Sequence, residues 1–221
     1  MSPKPGAVLR LVLVDDQALF RAGIAMVLDS QPDLEVVGEA GDGEEAVELV
    51  QSLRPDVVLM DVRMPRLDGV AATGRIVAAL GEDAPRILVL TTFDQDALAA
   101  DAIEAGASGF LLKEAQPEFL LASIRAVAAG NQVVAAGATR AIFERFRQRA
   151  TSTPGAEYDR LTEREREIMR RAAQGLSNAE IAAAEFLSEA TVKTHVSRIL
   201  TKLGLRDRVQ LVVYAYEHDL I

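Results

Sequence analysis

Five short runs rich in Val, Leu and Ile punctuate the first 130 residues: Leu9–Asp15, Leu34–Glu39, Asp56–Asp61, Arg86–Thr91 and Gly109–Lys113. They barely alternate in polarity, which is the pattern of strands buried on both faces. Between them lie amphipathic stretches, roughly Ala18–Ser30, Gly43–Ser52, Gly69–Leu80, Gln95–Ala105 and Glu118–Ala129. Strands taken in turn with helices build a parallel sheet covered on both sides. Right-handed crossovers leave few topologies for such a chain. The expectation is an α/β, doubly wound, five-stranded parallel sheet, for which the flavodoxin order 2-1-3-4-5 is one of two common ones.

After Gly130 the strand pattern stops. Gly137–Gln148 reads as a basic helix, and Thr151-Ser-Thr-Pro-Gly155 is a linker by composition. From Leu161 onward every pattern is helical, so a small all-α helix-turn-helix domain is expected to follow the sheet. Thr162 with Glu165, and Ser177 with Glu180, have the spacing of capping boxes. Ser188 with Thr191 nearby opens a third helix, Arg206–Tyr216 is a fourth, and Gly175 and Gly204 sit where helices should stop. The reading divides the chain into a first domain at 8–130, a linker with a helix at 131–157 and a second domain at 158–221.

Charge divides the chain at the same place. Residues 1–130 carry 10 Lys+Arg against 21 Asp+Glu, leaving 14 and 12 of the totals of 24 and 33 to residues 131–221. An acidic half joined to a mildly basic one implies two partners of different charge. There is no cysteine, so nothing asks for an oxidising compartment or a thiolate metal site. The run Val8–Val14 is broken by Arg10 and flows into Asp15 and Asp16, as a strand does and a signal core does not. No apolar stretch approaches the ~20 residues of a membrane helix. A cytoplasmic protein is expected.

In open parallel sheets ligands bind at the carboxyl ends of the strands, where strand order reverses. The first run delivers Asp15 and Asp16 there, the third Asp61, the fourth Thr91 and the fifth Lys113. Three clustered carboxylates repel one another unless a cation lies among them. Oxygen ligands alone point to a hard ion, and Mg²⁺ fits best, since it takes a few carboxylates plus phosphate oxygens. The hydroxyl and the ammonium are then donors to a phosphoryl group, and a carboxylate can itself be the nucleophile. Asp42 and Asp94 read instead as helix N-caps.

The motifs Leu-Val-Asp-Asp at 13–16, Leu-Met-Asp-Val-Arg-Met-Pro at 59–65, Asp-Gly at 68–69, Leu-Thr-Thr at 90–92 and Gly-Phe-Leu-Leu-Lys at 109–113 resemble the receiver domain of bacterial response regulators. The resemblance implies that Asp61 is the phospho-acceptor. It implies that Asp16, Asp61 and the backbone carbonyl of Arg63 hold Mg²⁺, with Asp15 acting through water. Thr91 and Lys113 would bind phosphoryl oxygens, and Thr91 and Phe110 would form the switch. Pro117 follows the lysine loop. Phosphatases of the haloacid-dehalogenase kind also form an aspartyl-phosphate, but they need a second Asp two residues after the first. Arg63 stands there, so a phospho-accepting regulator is expected rather than an enzyme. A receiver that is never phosphorylated is the other rival, and the complete acidic set argues against it.

In the second half, Val192, Val196, Ile199 and Leu203 fall on one helical stripe and should face a core. Thr194, Ser197 and Thr201 fall opposite, flanked by Lys193 and Arg198. Small polar residues edged by cations suit a major groove. Leu161-Thr-x-Arg-Glu, Gly175-x-Ser-Asn, Glu180-Ile-Ala, Thr191-Val-Lys-x-His195 and Lys202-Leu-Gly resemble the LuxR-type DNA-binding domain, and the whole chain resembles a NarL/FixJ-family regulator. The resemblance implies base contacts from Lys193, Thr194 and Ser197, and phosphate contacts from Thr191, Arg198 and Lys202. It also implies a homodimer on double-stranded DNA, paired through Val209, Val213 and Tyr214. Glu185 stands where that family carries an apolar residue. The expectation is that Phe186 fills the space and Glu185 tips outward. His195 reads as a packing or backbone-bonding residue. Neither His195 nor His218 reads as a phosphodonor, so the phosphoryl group must come from a sensor histidine kinase or a small phosphodonor.

Overall fold

The computed structural model describes residues 8–92, 96–130, 133–134 and 155–221. The chain divides into two compact units, Met1–Thr139 and Arg140–Ile221. The expected helix over 137–148, most of the linker and the Asp94 cap lie outside the described residues.

In the first unit the strands are β1 (Leu9–Val14), β2 (Leu34–Ala40), β3 (Val57–Asp61), β4 (Arg86–Thr91) and β5 (Gly109–Leu112). They alternate with α1 (Ala18–Asp29), α2 (Gly43–Leu53), α3 (Gly69–Leu80), α4 (Asp96–Glu104) and α5 (Pro117–Ala128). All neighbours pair in parallel, in the order β2-β1-β3-β4-β5, as the sequence predicts. The sheet then goes one strand further than expected. A two-residue β6, Val133–Val134, pairs with Gly109 and Phe110 of β5. Two residues are too few for any periodicity to register, and a very short strand is a common way to end a sheet.

Burial follows the strand period of two. Leu11, Leu13, Leu59, Leu88, Leu90 and Leu111 share one core with Leu28 of α1 and Leu120, Ile124 and Val127 of α5. The alternate residues Val12, Val14, Val58, Met60, Val89 and Phe110 are equally buried and therefore face the other side. Arg125 of α5 grips Asp33, in the turn before β2, with two bonds of 2.7 Å. That pairing ties the last helix of this unit to its first loop.

The second unit is helical: α6 (Ala156–Asp159), α7 (Glu163–Ala173), α8 (Asn178–Ala184), α9 (Glu189–Leu203) and α10 (Arg208–Glu217). Both expected capping boxes are complete, Thr162 with Glu165 and Ser177 with Glu180. Ser188 caps α9 by accepting from the Thr191 N–H. Val192, Val196, Ile199 and Leu203 lie in one core with Ile168, Met169, Ile181, Leu211 and Tyr214, as their spacing predicts. Gly204 ends α9 in the left-handed conformation, φ +67°, which a residue without Cβ adopts at no steric penalty.

Candidate functional site

Asp15 follows β1, Asp61 ends β3, Thr91 ends β4 and Lys113 follows β5. The sheet order therefore brings all four to one edge. Asp15 and Asp61 are buried while Asp16 is exposed. One ligand oxygen from each of the three lies within 4.8 Å of the others. The Lys113 ammonium bridges the two buried carboxylates, 2.6 Å from Asp15 Oδ2 and 2.9 Å from Asp61 Oδ2. Its backbone N–H donates to the Thr91 carbonyl at 2.7 Å, so the lysine is anchored at both ends. The ring of Phe20 lies 4.9 Å below the ammonium, a cation–π contact that the sequence reading did not include.

Burial pushes the Asp61 carboxyl above the usual carboxylate range. Lys113 opposes that shift, Asp15 reinforces it, and a hydrogen bond from the Arg63 backbone opposes it weakly. Lys113 loses favour for its charge through burial but regains more from Asp15 and Asp61, and its pKa is raised. Among the described residues, two buried carboxylates and a third nearby thus share a single ammonium. Positive charge is short there, which is what a cation site or an electrophile requires. The Thr91 hydroxyl donates to the Thr92 carbonyl at 3.3 Å. Phe110 is 1% exposed, so it is a core ring in this structure.

Gly69 explains the Asp-Gly motif physically. Its N–H donates to the Val62 carbonyl at 2.9 Å, and a Cβ there would lie 1.9 Å from the Asp61 carbonyl oxygen. Only glycine lets α3 begin against the backbone of Asp61. Asp42 is an N-cap as expected, accepting from the Glu44 and Glu45 N–H groups, and Arg66 reaches its other oxygen.

In the second unit, Lys193, Thr194, Ser197 and Arg198 are exposed along α9, and Thr191 is half-buried. Thr194 bonds back to the Ala190 carbonyl at 2.9 Å, and Thr191 shares a 2.7 Å hydroxyl contact with Ser188. Lys202 is placed differently from these. Its ammonium sits 2.6 Å from the buried Glu165 carboxylate and 3.1 Å from the Arg160 carbonyl. It braces α9 to the start of α7 instead of standing free on the surface. Val209, Val213 and Tyr214 are 3%, 6% and 8% exposed within this one chain. Tyr214 belongs to the helical core and donates to Glu157 at 3.3 Å, and burial together with Glu157 pushes its hydroxyl up to about 12.

The expectation for Glu185 and Phe186 is reversed. The Glu185 side chain is 12% exposed, held by Arg164 at 2.5 Å and Arg171 at 3.0 Å, while Phe186 is 96% exposed. Two guanidinium groups compensate the carboxylate where an apolar neighbour was expected to fill the space. His195 is half-buried, and its Nδ1 has no hydrogen-bond partner among the described residues.

Comparison with known proteins agrees with this geometry. Residues 11–125 match the response regulator receiver domain, and residues 159–215 match the bacterial regulatory proteins of the luxR family. The chain is 42% identical to the transcriptional regulatory protein YxjL of Bacillus subtilis (strain 168), over 96% of its own length and 97% of that relative's. It is 40% identical to the response regulator protein VraR of Staphylococcus aureus (strain NCTC 8325 / PS 47), over 96% and 99%. Among solved structures it resembles the response regulator ChrA of a heme-sensing two-component system. That likeness has 38% identity and a TM-score of 0.53, and it covers 97% of this chain and 100% of that one. The chain belongs to the two-component response regulators, joining a receiver domain to a LuxR-type DNA-binding domain, and is a transcription regulator, not an enzyme.

Proposed function

We propose that Asp61 accepts a phosphoryl group from the histidine of a sensor kinase, and that the modified receiver controls binding of α9 to specific DNA. The observation that carries this reading is the Lys113 bridge to Asp15 and Asp61 at 2.6 and 2.9 Å. An Asp61 oxygen attacks phosphorus, the P–N bond to the kinase histidine breaks, and that nitrogen keeps the electron pair. Lys113 then neutralises a phosphoryl oxygen, and Thr91 donates its hydroxyl to another. The three carboxylates fit a hard divalent cation, because two are buried with one ammonium between them. Asp15, Asp16, Asp61 and the Arg63 carbonyl would hold Mg²⁺, which supplies charge neutralisation for the incoming phosphoryl group.

The kinase needs a surface beside this site. On α1, Leu19 is 89% and Met26 74% exposed, and Phe119 at the start of α5 is 51% exposed. Phe20, next to Leu19, touches Lys113, so a helical partner on α1 would lie over the site. Thr91 and Phe110 would carry the switch, as a modified Asp61 draws the hydroxyl toward it. On the DNA side, Lys193, Thr194 and Ser197 would meet bases, with Thr191 and Arg198 on phosphates. Lys202 would act through its brace on Glu165. Val209, Val213 and Tyr214 of α10 would pair two copies of this unit on DNA. The working units would be 8–130 and 158–221, joined by 131–157, and the protein would act in the cytoplasm, where both partners are reached. Incubation with Mg²⁺ and a small phosphodonor, followed by intact mass measurement, tests the central step. One added phosphoryl group is expected, and none at any concentration would defeat the reading.

A further inference from the structure

The helix-turn-helix holds one large side chain away from the protein. Phe186, between α8 and α9, is 96% exposed and has φ +54°. That is the left-handed region, where a bulky aromatic residue is an outlier and Gly or Asn is at ease. Both neighbours are fixed. The Glu185 N–H donates to the Ile181 carbonyl at 2.9 Å. Its carboxylate is gripped by Arg164 and Arg171, and its carbonyl accepts from Arg164 at 2.8 Å. On the other side, the Leu187 N–H donates to the Ala182 carbonyl at 2.9 Å, and Leu187 packs against the helical core. The backbone at Phe186 is therefore pinned from both sides, and the ring stands in solvent. Backbone strain and an exposed ring coincide on one residue, and strain of this kind collects where function requires it.

We infer that Phe186 is an apolar DNA contact, laid against a thymine methyl or a deoxyribose at the edge of the groove that α9 enters. The inference rests on the reading of α9 as the recognition helix. Phe186 lies two residues before Ser188, the cap of α9, and the first residues of a recognition helix are the ones that meet base edges. The exposed Lys193 and Thr194 stand on that same half of the helix. Phenylalanine is among the side chains that read the thymine methyl group, and with two side-chain torsions it has little freedom to lose on binding. A protein partner fits less well. Phe186 and Ile221 are the only large apolar residues exposed among the described residues of this unit, whereas a stable protein interface covers about 800 Å² per partner.

The test uses the full chain and a duplex selected from a random pool by the wild-type protein. Phe186→Gly and Phe186→Asn should unfold at the same temperature as wild type or higher, because the strain is relieved. They should bind the selected duplex on the order of fivefold more weakly, or worse. Phe186→Leu should retain most of the affinity. A duplex with uracil in place of thymine separates the two sources. If the methyl is touched, wild type weakens on uracil while Phe186→Gly does not. If the sugar is touched, uracil changes nothing and Phe186→Gly is weak on both. Lys193→Ala guards the underlying reading. Loss of affinity there with none at Phe186 overturns this inference alone, and loss at neither overturns the recognition-helix reading as well. Unchanged DNA affinity with transcription lost would assign the ring to a protein and overturn the DNA contact.

Discussion

Asp61 in the receiver and Glu165 in the DNA-binding unit expose the same small share of surface, 4% each, but Asp61 lies deeper among protein atoms, and their carboxyls shift in opposite directions. For Asp61, burial wins over the help of Lys113, and the carboxyl is held above its ordinary range. For Glu165, burial is overcome by the Lys202 ammonium and by the N–H and hydroxyl of Thr162, and the carboxyl is held below. Glu185, paired first with Arg171 and then with Arg164, follows Glu165. The difference separates architecture from chemistry. A carboxylate that finishes a helix cap or a latch is satisfied where it stands. Asp61, which shares one ammonium with a second buried carboxylate, is left short of positive charge.

The contrast can be broken most directly at Asp61. Asp61→Asn should abolish the phosphodonor-dependent mass gain, since an amide is no nucleophile, while leaving the protein at least as thermally stable, because a poorly solvated charge is gone. Full labelling of this variant would show that the reactive carboxylate lies elsewhere. Gly69→Ala should come next. Its Cβ would meet the Asp61 carbonyl at 1.9 Å, so a loss of about 1–3 kcal/mol or more in unfolding free energy and slowed labelling are expected. A stable variant that labels at the wild-type rate would mean that this close approach can relax freely.

On the other side of the comparison, Glu165→Ala removes a completed capping box and should lower the stability of the helical unit by about 1–2 kcal/mol, with no effect on Asp61 labelling. Denaturation followed at Tyr214 would detect it. The two carboxyls should also titrate on opposite sides of their ordinary values. The raised group, Asp61, adds stability that is complete at low pH and is lost as pH rises through its folded pKa. The depressed group, Glu165, adds stability present above its unfolded pKa and lost as pH falls through the folded one. Carbon NMR of the side-chain carboxyls across pH reads both, and coincident midpoints would erase the distinction. The smallest effect is expected at Lys202. Lys202→Ala should weaken DNA binding slightly with no change in salt slope, because its ammonium is engaged within the protein. A slope reduced by about one would return it to the phosphate contacts.

Much of this was legible before any coordinates. Strands buried on both faces announce themselves by composition, and their carboxyl ends then pick out Asp15, Asp61, Thr91 and Lys113. The stripe from Val192 to Leu203 follows from helical period alone. What stayed hidden depends on partners distant in sequence. The arginines that hold Glu185 lie 14 and 21 residues away, and the carboxylate that takes Lys202 lies 37 residues away. No local rule connects such pairs.

The placement of Lys113 also sets an order of events during synthesis. Asp15 belongs to the first strand and Lys113 follows the fifth, so the bridge closes almost the whole length of the receiver. On the ribosome, where chains emerge amino end first and domains fold as units, the acidic pair has no ammonium until β5 is out. Contacts that span so much chain form slowly. The helical unit is synthesised last but is built from near neighbours in sequence, and short-range contacts form fast. A newborn chain would then close its acidic site only after β5 emerges, and form its helical unit soon after the last helix is released.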